Sequence, residues 1–130
     1  MKKFVTLLLC MLPVSLFAQV NDGIRQAMDN YDYETVVTLI EPDCQDSLLL
    51  ITKAQALKAM NRYPEAIGVL NSLILKDSTN TKVLIDLAEC YKLTGNSRRA
   101  ANCYQKAMNL QPENKFFRLQ FIRSLLASEE

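Results

Sequence analysis

The sequence predicts an all-α fold, an α-α superhelix in which antiparallel helical hairpins stack one against the next. Within residues 81–114, large and small apolar residues recur at helical spacing on both sides of Gly95. The same pattern occurs a second time, directly upstream, in residues 47–80. A repeated pair of amphipathic helices indicates a stacked array, because a single hairpin cannot bury all of its apolar surface alone.

The recurring positions alternate in side-chain size. In residues 81–114 they are Leu84, Leu87, Ala88 and Tyr91 in the first helix, then Ala100, Tyr104, Ala107 and Pro112. This spacing resembles the tetratricopeptide repeat, in which W-x2-L-G-x2-Y precedes A-x3-F and a proline. The small side chains of Ala88 and Ala100 are expected to let the two helices approach closely.

Residues 47–80 are predicted to form a second repeat of the same kind. Asn61 occupies the turn position of Gly95, because asparagine tolerates a left-handed backbone. Pro64 follows at the start of the next helix, where its missing N–H costs nothing. The matching core positions are Leu50, Ala54, Leu57, Ala66 and Leu70.

Weaker units are expected at both ends of the array. Residues 19–46 are interpreted as a degenerate first hairpin, with a first helix from about Asp22 to Asn30 and a second ending near Glu41. Residues 115–130 are predicted to be a terminal helix, either a half repeat or a cap. Its apolar residues spread around the helix, so it either continues a longer array, which we favour, or meets a partner.

Residues 1–18 are predicted to be a signal peptide. Lys2 and Lys3 precede an apolar run that ends at Phe17, and the small residue Ala18 suits cleavage before Gln19. We therefore expect export to the periplasm or cell envelope of a bacterium, or secretion, without membrane insertion of the mature chain. The alternative is an uncleaved membrane anchor.

Export would leave three cysteines in an oxidising compartment, namely Cys44, Cys90 and Cys103. Pairing Ala88 with Ala100 staggers Cys90 and Cys103 by roughly 7.5 Å along the helix axis. That exceeds the Cα separation of about 4.4–6.8 Å usual for a disulfide. We expect three buried, small apolar side chains, with their oxidation state left open.

No catalytic, cofactor or metal site is expected. The chain has no histidine and 3 glycines, and its net charge of +1 does not favour nucleic acid as a partner. Clustered acidic residues are interpreted as helix caps rather than a cation site, and the arginine pair as a solvated face. Tyr91 and Tyr104 are expected in the core. The acidic residues are Asp29, Asp32, Asp43 and Asp46, and the pair is Arg98 and Arg99.

The family resemblance implies a groove lined by the first helix of each repeat, called here the first-helix groove. It implies a protein or peptide ligand but not a chaperone C-terminal carboxylate, because Ile51, Gln55, Ile85 and Glu89 replace several of the lysines and asparagines that clamp it. The chain is thus predicted to be a non-catalytic scaffold or adaptor. The alternative is the sensory N-terminal region of a longer membrane-bound signalling protein or enzyme. The expected groove residues are Ile51, Gln55, Lys58, Lys82, Ile85, Glu89, Lys92, Leu119 and Arg123.

Overall fold

The computed structural model describes the backbone of residues 2–129 and the side chains of residues 16–129; within that range it contains seven α-helices and no strand. The predicted all-α class is therefore confirmed. The principal packing contacts join helices that follow one another in the chain, as expected for a stack of hairpins. The helices are α1 (Lys2–Asp29), α2 (Tyr33–Leu39), α3 (Ser47–Ala59), α4 (Tyr63–Lys76), α5 (Thr81–Leu93), α6 (Ser97–Leu110) and α7 (Lys115–Glu129).

Acidic and amide side chains start the helices. The Asp46 carboxylate accepts hydrogen bonds from the main-chain N–H groups of Leu48 and Leu49, at 2.8 and 3.2 Å. Asp32 caps α2 in the same way. These bonds satisfy main-chain donors that have no partner inside the helix, which confirms the capping role of both residues. Asp43 differs, since its main-chain oxygen accepts from Gln45.

Left-handed residues make the turns inside the hairpins. Gly95 has φ 78° and Asn61 has φ 59°, which confirms the predicted equivalence of the two positions. Tyr31, in the turn between α1 and α2, also has φ 59°. The sequence did not predict a left-handed residue there, because position 31 holds neither glycine nor asparagine. A tyrosine is rare in this conformation, so the first turn carries backbone strain that the other two avoid.

The core consists of the residues that define the repeat. Ala88 and Ala100 are fully buried in one cluster with Tyr91 and Tyr104. The predicted contact between α5 and α6 is thus confirmed, and the two tyrosines lie in the core as expected. The corresponding residues of the preceding repeat are also buried: Leu50, Ala54, Leu57, Ala66 and Leu70.

The first helix starts much earlier than expected. We predicted a helix from about Asp22, but α1 begins at Lys2 and continues through the predicted cleavage position to Asp29. Leucine is frequent in this stretch and is a strong helix former. None of the described helices is long and apolar enough to cross a membrane.

The three cysteines differ in their surroundings. Cys90 and Cys103 are buried in the main core and are not bonded to each other. Burial raises the pKa of the Cys103 thiol to about 11, so this group stays protonated at neutral pH. The expectation of burial is wrong for Cys44, which is half-exposed. It lies in the connection between α2 and α3 and packs against the edges of two core clusters.

Two glycine-to-alanine substitutions are expected to change stability in opposite directions. No atom lies within 4 Å of a Cβ added at Gly95 or at Gly68, so space is not limiting at either position. Gly95→Ala should destabilise the fold by about 1 kcal/mol, because φ is left-handed there. Gly68→Ala, within α4, should stabilise it by about 0.5–1 kcal/mol. Urea unfolding measures both, and shifts of the same sign would contradict the assigned turn.

Candidate functional site

Two lysines connect the first helices of successive repeats across one surface. Lys58 Nζ of α3 donates to Asp86 Oδ1 and Glu89 Oε2 of α5, both at 2.9 Å. Lys92 Nζ of α5 donates to Gln120 Oε1 of α7 at 3.1 Å. The Lys58–Asp86 and Lys92–Gln120 bonds each span 28 residues of sequence, so the second bond repeats the first one repeat later.

The Lys58 ion pairs are partly shielded from water. The side chains of Lys58 and Asp86 are 21% and 18% exposed, whereas that of Glu89 is 46% exposed. Burial alone would lower the pKa of Lys58, but its hydrogen bonds to Asp86 and Glu89 outweigh this effect and raise the pKa above 10.5. Lys58 is therefore charged at physiological pH and holds α3 against α5.

The structure puts the nine predicted groove residues on α3, α5 and α7, but not all of them are free. Lys82, Lys92, Leu119 and Arg123 are exposed; the other five are half-buried. Ile51 and Ile85 pack on the main core, while Lys58 and Glu89 bind each other. Their role in ligand binding stays a prediction.

Asp86 belongs to the Lys58 ion-pair cluster, and the sequence prediction did not include it. It follows Ile85, which was assigned to the groove, and its carboxylate is the less exposed partner of Lys58. The available signal was its separation from Lys58, which recurs between Lys92 and Gln120. This signal becomes meaningful only once the offset between neighbouring first helices is known.

Other polar residues serve the fold. Arg98 and Arg99 are both exposed, as expected, but the Arg99 guanidinium also lies 5.7 Å from the centre of the Tyr91 ring. This cation–π contact was not predicted. Burial raises the pKa of Tyr104 to about 12, so this hydroxyl does not ionise at neutral pH. Among the described side chains, no cluster of three or more His, Cys, Asp or Glu residues could hold a metal ion.

An apolar cleft of about 330 Å³ lies at the N-terminal end of the stack, between α1 and the start of α3. Leu16 and Phe17 contribute to its wall, and both belong to the predicted signal peptide. Cleavage after Ala18 would remove them. None of the nine predicted groove residues lines this cleft. Its lining is completed by Val20, Leu39, Ile40, Glu41, Cys44 and Leu49.

Comparison with known proteins identifies the architecture. The sequence model of the tetratricopeptide repeat family matches residues 57–120, from the end of α3 into α7. The type III secretion translocator chaperone SycD of Yersinia enterocolitica aligns over 94% of this chain and 94% of its own, with a TM-score of 0.73 and 18% identity. The fold is that of tetratricopeptide repeats.

Further similar structures contain bound partners. The TPR2B-domain:pHsp70 complex of yeast Sti1 has a TM-score of 0.68 at 17% identity, covering 84% of this chain and 95% of that one. SycD of Yersinia enterocolitica in complex with a peptide of the translocator YopD has a TM-score of 0.64 at 19% identity, covering 88% and 91%. At these identities the likeness establishes the fold.

A curated relative is longer than the region that matches. The DnaJ homolog subfamily C member 7 homolog of Dictyostelium discoideum is 35% identical over 86 residues. That alignment covers 65% of this chain and 16% of the relative. The match therefore corresponds to a short segment of a larger protein.

A double-mutant cycle is expected to separate the two bonds of Lys58. The coupling free energy between Lys58→Met and Asp86→Asn should be about 1 kcal/mol, because both side chains are mostly shielded. Coupling with Glu89→Gln should be smaller, since water screens the more exposed carboxylate. Urea unfolding of the single and double variants provides these values, and equal coupling would contradict the geometry.

The same ion pairs make the stability of the fold depend on pH. The folded-state pKa of Lys58 is raised above its ordinary value of 10.5. The ion pairs of Lys58 therefore make their full contribution to the free energy of unfolding below pH 10.5, and this contribution is lost as the pH rises through the folded-state pKa. The stability difference between the parent and Lys58→Met should therefore be constant near neutral pH and shrink above 10.5. Urea unfolding of both proteins across this pH range measures the difference, and a value that grows in alkali would contradict the assignment.

Proposed function

We propose that this chain is a non-catalytic protein-interaction module that binds a polypeptide in the first-helix groove. The observation that carries the proposal is the continuous surface of α3, α5 and α7, which Lys58 and Lys92 link from one repeat to the next. Structures of the same fold contain a peptide of YopD in SycD and pHsp70 in Sti1, which supports this class of ligand. Tetratricopeptide repeats are typically interaction modules without chemistry of their own.

A row of apolar side chains follows the repeat across the groove. Ile51, Ile85 and Leu119 are separated by one repeat length each, so they occupy the same position on three successive first helices. Ile51 and Ile85 are half-buried, and Leu119 is 46% exposed. The row supports binding of apolar ligand side chains, because burial of the remaining apolar surface stabilises a complex.

The spacing of the helices indicates a sequence pattern for the ligand. Neighbouring first helices are bridged by single lysine side chains, and roughly three residues of extended chain cover a separation of about 10 Å. An extended peptide with apolar residues at every third position therefore matches the row. Lys82, Lys92 and Arg123 are exposed around it. Their charge favours acidic residues between the apolar ones.

The linked first helices provide a preformed binding surface. Lys58 joins α3 to α5, and Lys92 joins α5 to α7, so the helices need not rearrange when a ligand binds. A preformed surface loses little conformational entropy on binding. Modest contacts along the apolar row are then sufficient for useful affinity.

A matched pair of charge reversals tests the groove. The probe is a peptide of about nine residues with leucine at every third position between glutamates. Lys92→Glu/Arg123→Glu should weaken its binding about tenfold or more, whereas Arg98→Glu/Lys106→Glu on the exposed side of α6 should not. Fluorescence anisotropy measures the affinities.

The peptide itself needs a control of equal composition. A second peptide places the same leucines at every second position, so that it cannot meet the row in register. Equal affinity for both peptides, or equal weakening by both charge reversals, would exclude the first-helix groove as the binding surface. Circular dichroism of each variant verifies that its fold is retained.

We further propose that the chain is exported and acts as a scaffold or adaptor in the bacterial envelope. The basic start, the apolar run and Ala18 support this location. In the natural host, the accumulated protein should fractionate with the envelope and have an N-terminus near Gln19. An N-terminus at Met1 in the cytoplasmic fraction would contradict export while leaving the groove proposal unaffected.

A further inference from the structure

The helix α1 lies next to α3 at the N-terminal end of the row of first helices. Each of α1, α3 and α5 is followed by a residue with a left-handed φ, and these three turn residues give the helices a common register. In that register, Asn21 of α1 takes the position that Ile51 and Ile85 occupy on α3 and α5. The apolar row of the first-helix groove is therefore continued by a polar residue on α1, and this end of the groove differs in chemistry.

The bridge that joins neighbouring first helices is missing at α1. Lysines bridge α3 to α5 and α5 to α7. On α1 the position of these lysines holds Met28, and on α3 the position of Asp86 holds Thr52. A thioether cannot donate a hydrogen bond, and the Thr52 hydroxyl donates within its own helix, to the main-chain oxygen of Leu48 at 3.0 Å. The space between α1 and α3 thus lacks the bridge that its two successors have.

A pocket of about 400 Å³ occupies this space. Met28 and Thr52 both line it, and Gln55, one of the predicted groove residues, connects it to the first-helix groove. Its apolar walls include Leu49 and Ile24, of which Ile24 belongs to the buried core. A pocket of this size with apolar walls and a few polar groups is typical of a site that binds an organic group.

The lining of the pocket favours an aromatic ring. Arg25 lines it, is exposed, and forms no ion pair with any side chain of residues 16–129. A guanidinium stacks on aromatic faces, and the sulfur of a methionine such as Met28 makes favourable contacts with ring edges. Phe17 contributes an aromatic ring to the same lining. Asp46 lines the pocket as well, and its carboxylate disfavours an acidic ligand group there.

We propose that the pocket between α1 and α3 binds an aromatic side chain of the peptide that occupies the first-helix groove. This inference rests on the proposed function and extends it to the identity of one ligand residue. Because roughly three residues of extended chain cover the step between neighbouring first helices, the aromatic residue follows the apolar residue at Ile51 by the same spacing. Only one end of the peptide reaches α1, so the pocket also determines the direction in which the peptide binds.

The pocket does not depend on the predicted signal peptide. Among its described lining residues, only Phe17 precedes the predicted cleavage position after Ala18. Arg25, Met28 and the residues of α3 would remain in the mature chain. Removal of the Phe17 ring would free wall surface that the ligand ring can cover.

Peptides that differ at one residue test the pocket. The nine-residue leucine peptide of the groove test is lengthened by roughly three residues at either end, so that phenylalanine, cyclohexylalanine or alanine continues the leucine spacing. At one end, the phenylalanine peptide should bind about tenfold more tightly than the alanine peptide. It should also bind about threefold more tightly than the cyclohexylalanine peptide, because that ring has similar bulk but no π face. Fluorescence anisotropy measures these affinities.

Two variants of the protein test the assigned residues. Arg25→Met keeps an unbranched, helix-forming side chain without the charge, and it should abolish the preference for phenylalanine over cyclohexylalanine. Met28→Lys/Thr52→Asp installs the kind of bridge that joins α3 to α5, so it should close the pocket and remove the gain from the phenylalanine extension. Arg98→Met on the exposed side of α6 is the matched control and should leave the preference unchanged. Circular dichroism of each variant verifies its fold.

The outcomes distinguish the pocket from the groove. If the nine-residue peptide binds but phenylalanine brings no advantage over cyclohexylalanine, or the same advantage at both ends, the pocket inference is wrong and the groove proposal stands. A preference that persists in Arg25→Met, or a gain that persists after the bridge is installed, would also overturn the inference. If the nine-residue peptide does not bind, the groove proposal fails and the pocket inference fails with it.

Discussion

Close contact between alanines determines how each hairpin of this protein packs. Ala88 and Ala100 have no measurable exposure, and Ala54 and Ala66 of the preceding repeat are equally buried. Because these side chains are small, the two helices of a hairpin approach closely, and larger side chains such as Tyr104 pack beside the contact. Apolar surface remains on each hairpin, and only the next hairpin can bury it. The stack follows from this constraint.

Stacking at a constant repeat converts a sequence period into a surface. Residues that occupy equivalent positions of successive repeats, such as Ile51 and Ile85, come to lie in a row on successive first helices. The bonds from Lys58 and Lys92 follow the same geometry and connect α3, α5 and α7. The fold thereby produces an extended surface, which is the physical basis for proposing that it binds a peptide.

Both ends of the array depart from the repeat for physical reasons that differ. At the first hairpin, Tyr31 occupies a turn position that glycine or asparagine would adopt with less strain. On α7, Ile122 stands at the position of Ala88, where a small side chain allows close packing. The first departure strains a turn, whereas the second puts a larger side chain at a position where the repeat has a small one.

Much of the fold was predictable because its causes are local in sequence. Helical spacing, the turns at Asn61 and Gly95 and the buried alanines depend on residues close together in the chain, or on the same pattern one repeat later. The pairing of Lys58 with Asp86, the contact of Arg99 with Tyr91, and the half-exposure of Cys44 were not predictable. They depend on the offset and rotation between neighbouring helices, which periodicity leaves undefined. Spacing along the chain thus specifies which faces are buried, and packing in three dimensions decides which polar groups meet.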